Sequence, residues 1–245
     1  MEVSDLRDIP AIILCGGEGS RLRSVVSDRQ KAVASVKGRP FLSYIVERLE
    51  KEGVREIVLA AGYFAQSVQC FADKYTGRAA LRVVVESNPR GTGGACRDVF
   101  LDLDSSYRNA FVLNGDTFAD VPLRELVAQL QNPGIEVCMA LFESTDSARF
   151  GSVELSADGV VRSFSKNNTH STLINAGTYL ISRDFLEQIS DRSQGIVSLE
   201  KVIELSANLY GNVAGFIYKG VFLDIGVPAD FARAQTIDYL EGCNE

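Results

Sequence analysis

The sequence predicts an α/β fold: a mostly parallel central sheet with helices on both faces and a smaller antiparallel addition. Three observations carry that expectation. Short apolar runs of strand length alternate with helical patterns through the first half of the chain. The runs are too uniformly apolar for half-exposed strands and suit a sheet buried on both faces. After Pro133 the rhythm changes to closely spaced strand-like runs.

Residues 10–14 (Pro-Ala-Ile-Ile-Leu) read as a strand that runs straight into glycines. Phe41, Leu42, Ile45, Val46 and Leu49 fall at helical spacing, with Pro40 suited to the first turn and Gly53 to the end, so 41–52 is a helix. A strand over 56–60, a helix over 64–75, a strand over 81–85, a helix from about 93 to 100 and a strand over 110–113 follow. That last strand ends at Asn114-Gly-Asp116. In the second half, 137–142, 151–155, 160–164 and 175–181 are strand-like. Two short helices (183–188 and 198–206), strands at 213–218 and 221–225, and a helix from Pro228 complete the chain. No repeat, low-complexity tract or linker divides it. The halves, about 1–133 and about 134–245, are expected to form a single domain.

Composition removes several classes of function. The 245 residues include 32 Asp+Glu against 25 Lys+Arg, a net charge of −7, with 46% hydrophobic residues. An acidic chain without a basic run is a poor partner for nucleic acid or an anionic membrane. No stretch approaches the roughly 20 apolar residues of a membrane span. Residues 1–10 lack the apolar core of a secretory leader. The five cysteines form no C-x-x-C pair, which argues against structural zinc or a disulfide framework and for a reducing cytoplasm. The single histidine, His170, excludes multi-histidine zinc sites, and it is read as a loop residue rather than an acid or base.

The strongest chemical signal is Leu14-Cys-Gly-Gly-Glu-Gly-Ser-Arg-Leu22, directly after the first strand. Glycines there allow close backbone approach and turn N–H groups toward phosphate oxygens, and Arg21 can fork onto a phosphate. A dinucleotide fingerprint fails because Leu22 stands where the third glycine belongs. A Walker A loop fails because the chain has no Gly-Lys step. A mere tight turn stays open at this point. Asp116 closes a strand, where ligands of open α/β sheets collect and a carboxylate can hold Mg²⁺ against phosphates. Asp224 can add a second carboxylate from the other half, or merely cap the helix that follows. Asp102-Leu-Asp104 precedes its strand and reads as a solvated turn.

The continuation of the glycine loop resembles the sugar-1-phosphate nucleotidyltransferases. The matching residues are Gly16, Gly17, Gly19, Ser20, Arg21 and Leu22, then Lys31, then Gly38-Arg-Pro-Phe-Leu42 at a helix start. They continue with Glu86, Gly91-Thr-Gly-Gly94, Asn114-Gly-Asp116, Phe164-Ser-Lys166, Asn175-Ala-Gly177 and Phe222-Leu-Asp-Ile-Gly226. Within that family, residues 21–28 most resemble the D-glycero-α-D-manno-heptose 1-phosphate guanylyltransferases of bacterial surface-polysaccharide pathways. The resemblance implies a Rossmann-like sheet with a smaller antiparallel sugar-binding addition. It also implies Mg²⁺-dependent transfer of a nucleotidyl group, with release of pyrophosphate. It assigns Arg21, Lys31 and Lys166 to catalysis. It assigns Leu14, Gly16, Gly17, Gly19, Ser20, Glu86, Gly91, Thr92, Asn114 and Gly115 to the nucleotide. Gly151, Lys166, Asn175 and Gly177 go to the sugar phosphate, and Asp116 and Asp224 to the metal.

By the resemblance Glu86 stands where the family reads the base, which points to GTP; an exposed glutamate at a strand end stays open. An ionised carboxylate offers only acceptors, and guanine presents N1–H and the N2 amine side by side, whereas uracil or thymine would set a carbonyl against it. The chain departs from the family pattern at Cys15, at Ser20, and at Gln30 and Ala32, which replace two prolines around Lys31. Their loss is expected to free the lysine loop. Alternatives stay open: a hexose 1-phosphate such as mannose 1-phosphate as acceptor, a glycosyltransferase, or a silent nucleotide-sugar sensor. The oligomeric state is not legible, a homo-oligomer included.

Overall fold

The computed structural model describes residues 5–144, 150, 152–165, 171–189 and 195–237. The first half contributes β1 (Ala11–Cys15), a small β2–β3 hairpin (Ser35–Val36 and Arg39–Pro40), β4 (Glu56–Ala61), β5 (Ala80–Val85), β6 (Asn109–Asn114) and β7 (Thr117–Ala119). Its helices are α1 (Phe41–Glu52), α2 (Ala65–Ala72), α3 (Gly91–Leu101) and α4 (Leu123–Leu130). The second half contributes β8 (Val137–Glu143), β9 (Ser152–Leu155), β10 (Val161–Ser165), β11 (Leu173–Ser182), β12 (Val213–Ile217) and β13 (Phe222–Asp224). Its described helices are α5 (Arg183–Gln188), α6 (Leu199–Tyr210) and α7 (Pro228–Ala234).

The main sheet has nine strands. β1 lies between β4 and β6 and is parallel to both, and β5 extends the sheet beyond β4. The chain therefore runs outward from β1 and then returns to its other side, which creates a strand-order reversal beside β1. Alternate residues of β1 serve different cores. Ala11, Ile13 and Cys15 face the layer containing α1, α2 and α4, while Ile12 faces α3, α5 and α6. Burial on both faces is why these strands are apolar at every position rather than at every second one.

The second half joins the same sheet. β11 runs antiparallel to β6 and β8, β12 runs parallel to β8, and β9–β10 form an antiparallel hairpin at the end near Ile174. β13 leaves the main sheet and pairs antiparallel with β7, setting Asp224 beside Thr117. The predicted elements are present, with shifted ends. α2 is shorter than expected and α6 continues to Tyr210. Sequence reading passed over α4, although Leu123, Leu126, Val127 and Leu130 have helical spacing and the first three are buried. No helix of the described residues is long and apolar enough to cross a membrane. Cys15, Cys70, Cys96 and Cys138 are all free thiols.

Candidate active site

Three parallel strands end side by side. Cys15 is level with Ala61 and Ala61 with Val85, so Gly16, Gly62 and Glu86 are the next residues along three adjacent strands. Their closeness is tight. A Cβ on Gly16 would lie 2.8 Å from Glu86 Oε2, and one on Gly62 would lie 3.0 Å from it and 3.0 Å from the Gly16 carbonyl oxygen. The result is a close-packed ledge of bare backbone with the Glu86 carboxylate lying against it. Glu86 Oε1 accepts a bond from the Arg90 amide at 3.4 Å. Burial, reinforced by the charge of Asp98, pushes the Glu86 carboxyl above the usual carboxylate range, against the opposing pull of Arg90.

The glycine loop leads away from this ledge. The Gly16 carbonyl accepts from the Tyr63 amide at 3.2 Å. The Gly17 carbonyl accepts from Gln30 Nε2 at 2.9 Å. Among the described residues the amides of Gly17, Glu18 and Gly19 have no such partner, and Gly17 and Glu18 line the cleft. Gly19 takes a left-handed φ of 62° ahead of a short turn, Ser20–Leu22, that is anchored by fully buried Leu22. Ser20 and Arg21 stay exposed.

Lys31 Nζ forms an ion pair with Asp116. The lysine loop is not freed by the loss of its prolines, contrary to expectation. Gln30 is 2% exposed and already holds φ at −65°, the value proline imposes. Its side chain bonds the Gly17 carbonyl and, at 2.7 Å, the Ala32 amide, and its own amide donates to Ser67 Oγ at 3.0 Å, a bond proline could not make. Hydrogen bonds thus replace the ring. Ala32 and Cys15, two further departures, pack together on Gly115, whose Cβ would meet Cys15 Sγ at 2.8 Å and Ala32 Cβ at 3.3 Å. The Cys15 thiol is pushed up to about 12, first by burial and then by the Asp116 charge, with Lys31 opposing, so it is no nucleophile.

Asp116 and Asp224 are brought together by β7–β13 pairing and by an Ile225 amide bond to the Asp116 carbonyl at 2.9 Å. Both carboxylates reach the space where a Gly226 side chain would begin. Asp224 is oriented by the Gly226 amide at 2.9 Å and the Thr117 hydroxyl at 3.3 Å. No group of three or more His, Cys, Asp or Glu side chains suited to a metal occurs among the described residues. Two carboxylates completed by substrate phosphates are nevertheless the donor set Mg²⁺ uses.

The far wall comes from the second half. Val197 donates to the Arg90 carbonyl at 2.8 Å, and Gly93 donates to the Val197 carbonyl at 2.9 Å. Leu199 donates to Thr92 Oγ1 at 2.8 Å. Gly91, at φ 75°, has no room for a side chain, since a Cβ would lie 2.4 Å from the Val197 oxygen. Asn114 faces Gly177, whose Cβ would strike Asn114 Nδ2 at 2.5 Å. The Asn175 amide is engaged within β11: it donates to Tyr179 Oη at 2.6 Å and accepts from the Gly177 amide at 3.0 Å, which pins a bulge.

The cleft measures about 660 Å³. Its walls include Leu14, Gly16, Gly17, Lys31, Glu86, Gly91, Thr92, Asn114 and Asp116, residues drawn from five separate motifs. Gly62, Tyr63, Ile196 and Glu200 also line it and carried no motif to announce them. Gly151, Lys166 and His170 lie outside the described residues. A larger hollow of about 830 Å³ opens against α1 and α2, but none of the expected site residues line it.

With this geometry, the comparisons are specific. Residues 10–239 match the nucleotidyl transferase family, to which the chain belongs, and the protein is a nucleotidyltransferase enzyme. It is 34% identical over 223 residues to the D-glycero-α-D-manno-heptose 1-phosphate guanylyltransferase of Campylobacter jejuni, covering 90% of this chain and 96% of that relative. It is 33% identical over 229 residues to the enzyme of the same name from Aneurinibacillus thermoaerophilus, covering 92% and 96%. The crystal structure of HddC from Yersinia pseudotuberculosis complexed with GMP-PN has a similar fold, with TM-score 0.79 and 28% identity, over 93% of this chain and 98% of that one.

Proposed function

We propose that the enzyme transfers GMP from GTP to D-glycero-α-D-manno-heptose 1-phosphate, giving a GDP-sugar and pyrophosphate, in the cytoplasm. The observation that carries the guanine assignment is the Glu86 carboxylate set against the bare backbone of Gly16 and Gly62. A flat base can lie close against backbone that carries no side chain, and a carboxylate there accepts from guanine N1–H and N2–H together. Two relatives named for this reaction support the heptose. Lys166 and Gly151, on motif resemblance, take the sugar phosphate with Asn175 and Gly177.

The sugar-phosphate oxygen is already anionic at neutral pH, so attack on the α-phosphorus needs no general base and no covalent enzyme intermediate. What the chain supplies is position and charge. The unpartnered loop amides and Arg21 receive triphosphate oxygens. Lys31 leaves Asp116 for the phosphates as they arrive. Asp116 and Asp224 would hold Mg²⁺, which when bound neutralises phosphate charge. The first half of the chain thus serves mainly the nucleotide and the second mainly the sugar. Pyrophosphate release from GTP and Mg²⁺, with and without the heptose 1-phosphate, tests the reading. Release only with the sugar phosphate supports it; binding of both without release would mark a sensor.

A further inference from the structure

We propose that the stack of Arg23 on Tyr63 is a clasp that ties the glycine loop to the neighbouring loop at the edge of the cleft, which makes both positioning residues for the nucleotide step. The inference rests on the transfer reading above. Arg23 closes the short turn Ser20–Leu22 that carries Arg21, and Tyr63 lies in the loop between β4 and α2. The Arg23 guanidinium carbon is 4.9 Å from the centre of the Tyr63 ring, within the range of cation–π attraction. Glu18 flanks the same guanidinium, with Oε2 3.9 Å from Nη2, so Arg23 is held between a carboxylate and a ring. Tyr63 and Glu18 both line the cleft.

The Tyr63 half of the clasp is fixed. Its amide donates to the Gly16 carbonyl at 3.2 Å. The next residue, Phe64, holds φ at 57°, a left-handed conformation that a bulky side chain rarely adopts. The Phe64 ring packs edge-on against Tyr63, with centroids 4.4 Å apart. The Phe64 carbonyl accepts the Ser67 amide at 2.9 Å and the Ser67 hydroxyl at 2.7 Å, and Ser67 Oγ accepts the Gln30 amide at 3.0 Å. An unfavourable backbone state thus joins Tyr63 to the network that restrains Lys31. The Arg23 half is the less restrained one. Ser20, Arg21, Arg23, Ser24 and Val25 are exposed, and Leu22 is the turn's buried side chain. A second tie at Arg23 removes freedom that Leu22 alone leaves to the turn. That lowers the ordering cost of bringing Arg21 and the loop amides to the triphosphate.

A double-mutant cycle with a fluorescence reporter decides the matter. Arg23→Ala and Tyr63→Leu should each raise the KM for GTP by about 2- to 5-fold, with the KM for the sugar phosphate nearly unchanged. The double variant should be no worse than the worse single one, because both remove the same contact. Tyr63→Phe, which keeps the ring, should restore the wild-type KM. The chain has no tryptophan, so Tyr63→Trp places a single emitter in the clasp. Its emission should change when GTP is added, and the change should vanish when Arg23→Ala is combined with it. Costs that add in the double variant would overturn the proposal, since Arg23 would then act on the triphosphate itself. An emission change that survives Arg23→Ala would also overturn it, by placing the base on the ring. The reporter keeps the test open if Tyr63→Leu does not fold. Absence of wild-type turnover with GTP and any sugar phosphate would instead remove the transfer reading, and this proposal with it.

Discussion

Glu86 occupies a position where its negative charge is disfavoured until a ligand supplies donors. Its folded pKa is raised, chiefly by burial, so the sign of two effects follows. The folded state holds the proton more tightly than the unfolded chain, so the ionised group costs stability as pH rises through its folded pKa. Glu86→Gln should therefore be no less stable than wild type at neutral pH. As pH falls, the carboxylate is lost earlier than an ordinary glutamate, so kcat/KM for GTP should decline on the acid side with a limb that Glu86→Gln lacks. At neutral pH the same variant should lose about one to two orders of magnitude in kcat/KM for GTP. A pH profile with GTP on both proteins checks this, and an identical acid limb would remove Glu86 as the reader. Gln30 yields a second expectation. Gln30→Ala leaves the Gly17 carbonyl and Ala32 amide without their partner, costing about 1–3 kcal/mol. It should also lower kcat/KM for GTP, because the Lys31 turn loses its restraint; denaturant unfolding with GTP kinetics reads both. Glu86, Lys31 and Asp116 were legible in sequence because each sits beside a strand end or inside a motif. The Gln30 clamp was not, because its three partners lie in three different segments.

Among the elements, two glycines separate fold from function. A Cβ on Gly17 would meet nothing within 4 Å, whereas one on Gly91 would strike the Val197 carbonyl. Gly91→Ala should destabilise the junction of α3 with the start of α6, by about 1–3 kcal/mol in denaturant unfolding. Gly17→Ala should unfold like wild type and still bind the nucleotide more weakly, because under the proposed function the new methyl lies where phosphates approach; titration calorimetry with GTP would show it. Equal affinity in Gly17→Ala would mean that the loop does not cradle the triphosphate. The parallel strands were readable because burial on both faces leaves continuous apolar runs. α4 was also readable from its Leu123, Leu126, Val127 and Leu130 stripe and was overlooked. The β11 bulge was not readable: it depends on Asn175 bonding across to Tyr179 and Gly177, which no local pattern encodes. The lacing of residues 197–199 onto α3 escaped for the same reason, and with it the presence of Glu200 in the cleft.

Across the whole molecule, the fold brings together carboxylates more than a hundred residues apart in sequence. β13 must leave the main sheet and pair with β7 for Asp224 to reach Asp116. Sequence motifs named both residues, but only the ribbon shows how they meet. Asp116→Asn and Asp224→Asn should each abolish most turnover at saturating Mg²⁺ while melting within a few degrees of wild type, since under the proposed function each removes anionic ligation without removing bulk. Near-normal turnover in either would take that residue out of the proposed metal site. The central claim is that this cleft moves GMP onto a heptose phosphate, and it can be tested in one reaction vessel. Wild-type enzyme is given equal concentrations of GTP, UTP, dTTP, ATP and CTP with Mg²⁺ and D-glycero-α-D-manno-heptose 1-phosphate, and the nucleotide-sugar products are read by mass spectrometry. The account predicts GDP-heptose as the dominant product; a UDP- or dTDP-heptose, or no nucleotide sugar at all, would contradict it.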